Sequence, residues 1–362
     1  MLRETPDSCP DTVHLHEAAD GPLARIRIPG GALTPAQLQV LAEVAIDLGD
    51  GHLELTSRGN VQVRAVRDAG ALGGRLAVAG LLPSRTHERV RNIVASPLSG
   101  RVGGWADVRE LVREFDEKLC AAAELAELPG RVLFAFDDGR GDVSALSPDI
   151  GVHAVDEDTF ALVLAGVDTG VRTGDPVGAV LDAAQAYRRV RGAAWRVHEV
   201  GAARVLGREP DGVALPDPGA PPIGWLVQGD DGISLAAGVR LGVLPARLAE
   251  FLAAVERPVT ITPWRSIVVH DLDDWRAEQV VRVLAPMGLI FDAESPWLQV
   301  SACTGKPGCA KALADVRADA AAAVAAGHVN GRQHWSGCER RCGKPRDAAD
   351  VVATADGYRV SE

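Results

Sequence analysis

Two stretches decide how this chain is built: "LELTSRGNVQVRAV" at residues 53–66 and "VTITPWRSIVVHDL" at residues 259–272. They match in order over 14 positions, with Thr262 falling on Thr56. The first reads as a strand, alternating from Val61 to Val63. What precedes each stretch also repeats. "ARIRIPGGALTPAQLQVLAEVAIDLG" (24–49) begins with a strand-like Ala24–Ile28 and turns at Pro29-Gly30-Gly31. A helix then starts at Thr34, with Pro35 in its first turn and Gln37 completing a capping box. Leu38, Leu41, Ala42 and Ala45 give the apolar stripe, and Gly49 stops the helix. "ISLAAGVRLGVLPARLAEFLAAV" (233–255) is again strand, turn and helix, with Pro245 in the place of Pro35 and a stripe of Leu248, Phe251, Leu252 and Val255. A helix follows each matched stretch, to about Val78 and over Asp274–Leu284, and then "AGLL" or "MGLI". Each copy reads β-α-β-α-β, a small sheet with helices on one face. The proline-dense 208–224 reads as the linker between them.

A similar tail follows each copy. "RNIVASPLSGR" (91–101) leads into a helix with Val108, Leu111, Val112, Phe115 and Leu119 on one face. "PWLQVSACTGKPGC" (296–309) leads into an alanine-rich helix to about Ala326. Only the second tail carries paired cysteines, Cys303 with Cys309, then Cys338 with Cys342. The spacing is Cys-x5-Cys and Cys-x3-Cys. Zinc knuckles are usually tighter than x5. A cubane iron–sulfur cluster takes four thiolates, and a glycine- and proline-rich loop such as "CTGKPGC" can bring backbone N–H groups to its sulfurs. Lys306 adds positive charge beside them. These residues favour a [4Fe–4S] cluster, with zinc and unrelated thiols as the alternatives. Cys9 and Cys120 read as plain thiols.

The composition sets bounds. The chain has 362 residues, 47% apolar and 24% charged, enough for two or three domains with ordinary globular cores. No apolar run is long enough to span a bilayer, and the acidic opening "MLRETPDSCPDTVHLHE" lacks the pattern of a secretory signal. A cytoplasmic location is expected, where clustered thiols bind metal or do redox chemistry more often than they form disulfides. A net charge of −11 argues against nucleic acid or an anionic membrane as partner. Only Lys118, Lys306, Lys311 and Lys344 are lysines among 38 basic residues, an excess of arginine that a GC-rich genome explains. No nucleotide-binding loop is legible.

The cysteine pattern, the repeated unit, "LTSRGNVQVR" and "RNIVASPLSGR" together resemble the sirohaem-dependent nitrite/sulfite reductase superfamily, over roughly residues 20–360. Within it the chain is more similar to the precorrin-3B synthase family. The opening "DSCPDTVHLHEAADGPLARIRIPGG" and the segment "SGCERRCGKP" resemble that family. The reductases carry two lysines after a Leu-Pro turn, whereas this chain reads "LPGRVLFAFDD", with Arg131 the single basic residue and Leu133 near the second lysine's place.

The resemblance implies an α+β fold of duplicated nitrite/sulfite reductase-like modules: ferredoxin-like half-domains at 1–90 and 221–292, a cluster-free α/β domain at 91–220 and a [4Fe–4S]-binding part at 293–362. The end at "DGYRVSE", after an Asp356-Gly357 hairpin, is compact for the family. The resemblance also implies an O2-dependent monooxygenase that hydroxylates precorrin-3A and closes a ring A lactone. The cluster on Cys303, Cys309, Cys338 and Cys342 would pass electrons from an external donor, NADH or a ferredoxin-type reductase. A separate non-haem iron is implied too, but no 2-His-1-carboxylate set is legible among nine histidines. "HLH" at His14–His16 reads as an alternating strand, and His328 and His334 as loop or packing residues. Such a substrate is rich in carboxylates, which arginine forks match. Arg58 and Arg91 fall where the family's arginines face the tetrapyrrole or its ligand; Arg131, Arg265 and Lys306 are further substrate-facing candidates, with Arg64 and Arg101 beside them. A sirohaem-dependent reductase of nitrite or sulfite is the second reading. A non-catalytic iron–sulfur or zinc protein is the third.

Overall fold

The computed structural model describes residues 9–345 and 347–361. The opening segment up to Ser8, and Arg346 and Glu362, lie outside them. Local signals in the first copy act as expected. Thr34 caps the helix Pro35–Leu48: its hydroxyl accepts from Gln37 N at 3.2 Å, and Gln37 Oε1 accepts from Thr34 N at 3.0 Å. Gly49 ends that helix. In the second copy the register differs by one residue. Pro245 is the N-cap of the helix Ala246–Ala253, whereas Pro35 is the first helical residue.

The two matched stretches are hairpins rather than single strands. His52–Leu55 turns back into Val61–Val63, and Val259–Ile261 into Ser266–Leu272. The shared threonine makes the turn. Thr56 Oγ1 accepts from the backbone of Arg58 and Asn60 at 3.3 and 3.1 Å, and Thr262 Oγ1 from Trp264 and Ser266 at 3.2 and 3.3 Å. The duplication is written in the backbone as well. Left-handed residues fall at matching places: Gly30 and Leu241 (φ 62° and 53°), Gly31 and Gly242 (71° and 72°), Gly59 and Arg265 (66° and 59°), and Ala65 and Asp271 (51° and 58°). Such φ values are uncommon outside glycine, so four coincidences argue for a true repeat.

The two copies complete each other's sheets. The first antiparallel sheet runs His16–Ala18, Gly21–Ile26, Val61–Val63 and His52–Leu55, and its last strand is Val243–Pro245 of the second copy. The second runs Gly224–Val227, Ile233–Val239, Ser266–Leu272 and Val259–Ile261, and ends on Ala32–Leu33 of the first copy, while Leu289–Ile290 pairs with Ile233–Val239. One apolar core runs through both copies, including Leu38, Leu41, Leu53 and Val61 together with Leu244, Leu248, Leu252 and Val259. The expected half-domains are therefore joined into one unit.

Each tail is a separate sheet of the same plan. In the first, Ile93–Ala95, Phe134–Asp137 and Ile150–Ala154 are parallel, and Phe160–Leu164 and Val167–Thr173 follow antiparallel. In the second, Val300–Ala302, Gln333–Ser336 and Ala349–Thr354 are parallel, and Gly357–Ser361 returns antiparallel. The helices Arg109–Ala121 and Val316–Ala325 follow the first strand of each tail. The proline-rich linker has no regular element over 209–223, and Val213 N donates to Asp168 Oδ2 of the first tail at 3.2 Å. Among the described residues, no helix is long and apolar enough to cross a membrane.

Candidate functional site

The four paired cysteines sit at the carboxyl ends of two neighbouring parallel strands, the usual place for a ligand in such sheets. Cys303 follows Val300–Ala302, and Cys338 follows Gln333–Ser336. Cys303 N donates to Trp335 O at 2.9 Å, and Gly337 N donates to Cys303 Sγ at 3.2 Å. Cys309 comes back through a loop in which Lys306 N donates to Ala314 O and Ala312 N to Cys309 O. Cys342 is exposed, the other three partly so. Burial pushes the Cys342 thiol up, and Cys303, Cys338 and Cys309 each push it further. The fold thus gathers the four thiols that the spacing singled out.

Their separation bears on which group they suit. A tetrahedral zinc, with Zn–S near 2.3 Å, draws thiolate sulfurs to roughly 4 Å from one another. Among the described residues, the ligating atoms that cluster within 4.8 Å belong to Asp137, Asp138 and Asp142, and no three cysteine sulfurs do so. Four soft donors in loops that follow two parallel strands, with a backbone N–H already aimed at one sulfur, suit a cubane iron–sulfur cluster.

The acidic trio occupies the corresponding place in the first tail. Ser96 stands where Cys303 stands: its N donates to Phe136 O at 3.2 Å, and its Oγ accepts from Asp138 N at 3.1 Å. Ser96 Oγ donates to Asp142 Oδ1 at 2.6 Å; Arg140 pairs with Asp138 at 2.6 Å, and His153 with Asp137 at 3.1 Å. Burial, then Asp137, raises Asp142 to about 7. The trio is a satisfied internal network. No 2-His-1-carboxylate set appears among the described residues.

The expected arginines separate into groups. Arg58 lies in the hairpin turn, half-buried, and no side chain among the described residues hydrogen-bonds its guanidinium. Burial, then Arg196, brings it down to about 10, with Arg27 and Arg25 adding to the effect and Cys9 opposing it. Arg25 binds Gln62 and approaches Cys9 Sγ at 3.6 Å; Arg27, fully buried, reaches Asn92 at 3.3 Å. Sequence reasoning missed Arg25, Arg27 and Arg196, although "RIR" at 25–27, alternating with Ala24 and Ile28, marked a second face. Cys9, read as a plain thiol, lies against this basic group.

Arg91 does not join it. Its fork is closed on Asp116 at 2.7 and 2.7 Å, with Leu81 O at 3.2 Å and Glu88 at 3.5 Å, and it is 3% exposed. The expectation that Arg91 faces a substrate does not fit these contacts: the partly buried Asp116 carboxylate already takes its Nε and Nη2. Arg101 is likewise closed on Asp271 at 2.7 and 2.8 Å. Arg131 is exposed and stacks on Trp195, 4.6 Å from the ring centroid. Lys306 is exposed on the cysteine loop. Arg64 and Arg265 touch the cysteine loops themselves. His16 begins a strand while His14 precedes it and pairs with Asp11.

This duplicated architecture, with a four-thiol site in one tail only, is the fold of the nitrite/sulfite reductase superfamily. Residues 15–71 match the nitrite/sulfite reductase ferredoxin-like half domain. Over most of its length the chain also resembles the structure of the Mycobacterium tuberculosis NirA protein, with a TM-score of 0.74, 19% identity, and coverage of 94% of this chain and 74% of that one. Among curated proteins it is 26% identical to precorrin-3B synthase from Sinorhizobium sp over 382 residues, covering 97% of this chain and 81% of that protein. It is 25% identical to sulfite reductase [ferredoxin] 2 from Mycolicibacterium paratuberculosis, covering 82% of this chain and 61% of that protein. A 38% match to ferredoxin--nitrite reductase from Leptolyngbya laminosa covers 27% of this chain and 20% of that protein. The superfamily resemblance read from the motifs is borne out.

Proposed function

We propose that the chain is a precorrin-3B synthase: an iron–sulfur oxidoreductase that hydroxylates precorrin-3A with O2 and closes the ring A lactone. The observation that carries this reading is the match to the Sinorhizobium synthase, which spans 97% of this chain and 81% of that protein, where the nitrite reductase match spans 20%. The site agrees in its chemistry. Arg58, in the field of Arg25 and of the buried Arg27, is a basic group suited to substrate carboxylates, whereas Arg196 is already paired with Asp149 at 2.5 Å. Cys303, Cys309, Cys338 and Cys342 would hold the cluster, which when bound supplies single-electron transfer. One oxygen atom of O2 enters the substrate; the other leaves as water, with two electrons and two protons from an external donor, NADH or a ferredoxin-type reductase.

Reduction of nitrite or sulfite on sirohaem is the second reading, favoured by the sulfite reductase match over 82% of this chain. Against it, Leu133 is buried apolar packing and Arg131 lies on Trp195, which leaves no pair of lysines after the Leu-Pro turn. Anaerobic purification with iron, sulfide and pigment analysis, followed by turnover of precorrin-3A with O2, separates the readings. We expect about four irons and four sulfides per chain, no stoichiometric sirohaem, and an oxygenated product. Extractable stoichiometric sirohaem moves the assignment to the reductase; zinc without acid-labile sulfide overturns both.

A further inference from the structure

The two cysteine loops are gripped by side chains that belong to neither loop. Arg64 Nη2 donates to Gly308 O at 2.9 Å, and Nη1 reaches Thr304 Oγ1 at 3.5 Å. Arg64 is itself fixed by Asp20 at 2.7 and 2.7 Å, with Glu54 at 3.7 Å. On the other loop, Arg265 Nη2 donates to Gly343 O at 3.2 Å, one residue past Cys342. Its stem lies over Gly242, where a Cβ would come within 2.7 Å of Arg265 Cδ, and a Cβ on Gly343 would come within 3.0 Å of Arg265 Nη2. Both glycines leave room for this one side chain. The buried His334 adds a third hold: Nε2 faces Cys342 O at 3.1 Å and Nδ1 faces Ser301 Oγ at 2.8 Å. A carbonyl only accepts, so Nε2 carries the proton.

The backbone of Arg265 sharpens the point. Its φ is 59°, at the turn position where the first copy has Gly59 at 66°. Glycine adopts that conformation without strain and arginine does not. Strain of this kind persists where the side chain has a task.

We propose that Arg64 and Arg265, one from each copy of the repeat, are positioning residues of the cluster: they lock the two cysteine loops against the joined modules, so that the cluster is retained and its reduction potential is set. Both were expected to face substrate, and the contacts give them a different partner. The inference rests on the iron–sulfur reading above. Outer hydrogen-bonding partners of this sort orient ligands and tune metal sites, and their loss costs roughly ten- to a hundredfold in metal affinity. Two guanidinium groups beside an anionic cluster also favour the added electron.

Arg265→Gly is the discriminating variant, because it installs the residue that the first copy carries at that turn. The fold should be kept, with a melting temperature equal to or above the parent's. Iron release to a chelator under anaerobic conditions should nevertheless be roughly tenfold faster, and the midpoint potential, followed by electron paramagnetic resonance, should move to a more negative value. Arg265→Lys should recover part of the potential, and the exposed Arg276→Ala should match the parent. If the parent holds its cluster and Arg265→Gly keeps the parent's release rate and potential, the inference is overturned. A parent without acid-labile sulfide overturns the iron–sulfur reading itself, and this inference with it.

Discussion

Arg58 and Arg91 face opposite electrostatic surroundings, and that difference decides what each can do. Arg58 is pushed down towards 10 by burial and by other guanidinium groups, so a bound carboxylate would relieve it. Arg91 has its carboxylate already, in Asp116. Arg58→Ala should therefore weaken tetrapyrrole binding by about ten- to a hundredfold in an absorbance titration, with cluster content unchanged. Arg58→Lys should recover only part, since it keeps the charge and loses the fork. Arg91→Ala should act on stability instead. It strands Asp116 and the buried Glu88, at a cost of about 3–5 kcal/mol in denaturant unfolding. Tetrapyrrole binding at the parent's strength by Arg58→Ala would show that the basic group is not the substrate contact.

At the scale of elements, the junction of the copies turns on a few backbone atoms. Gly31 lies where Ala32–Leu33 joins the second copy's sheet; its φ is 71°, and a Cβ there would stand 1.9 Å from Ile261 O. Gly31→Ala should cost about 3 kcal/mol or more, because neither the backbone conformation nor the space is available. A melting temperature within a degree or two of the parent's would refute this account of the junction. The helices and caps here were legible beforehand, because Thr34, Gln37 and Gly49 act through neighbours in sequence. The grouping of the four cysteines was legible too, from their paired spacing in one tail. What was not legible depends on contacts between distant segments. Residues 52–66 read as one strand because Thr56–Asn60 carries no proline and a single glycine, and the turn is made by the Thr56 hydroxyl. The burial of Arg91 follows from Asp116 on a helix of the first tail, and the role of Arg265 from a carbonyl in the second. No local pattern announces either.

The charge balance of the whole molecule gives its stability a characteristic pH response. His270 is fully buried between Ser234 Oγ at 2.9 Å and Thr260 Oγ1 at 3.0 Å. Burial, then Arg101, brings it down to about 3; Arg109 acts the same way, and Asp271 opposes them. In the unfolded chain it titrates near 6.5. Its contribution is therefore complete above about pH 6.5 and is lost as pH falls towards 3, amounting to about 2 kcal/mol by pH 5. Glu88 and Asp142, both raised to about 7 mainly by burial, work the other way: their contribution is present below the ordinary carboxyl range and lost as pH rises to 7. The comparison that isolates the histidine is His270→Gln against the parent. The stability lost between pH 7 and pH 5 should be smaller in the variant by about 2 kcal/mol, and equal losses would refute the assignment.

The exchange of edge strands between the copies also constrains how the chain can be made. Ala32 pairs with Thr260, and His52 with Pro245. The amino-terminal copy thus leaves the ribosome with an unpaired sheet edge and part of its core uncovered, and it stays so until the carboxy-terminal copy has been translated. Contacts this distant along the chain close slowly, and open edges invite pairing with other chains. A nascent chain of this kind is a natural client for chaperones. Cutting the gene at the proline-rich linker should yield two fragments that are each poorly soluble and that recover their fold when they are synthesised together.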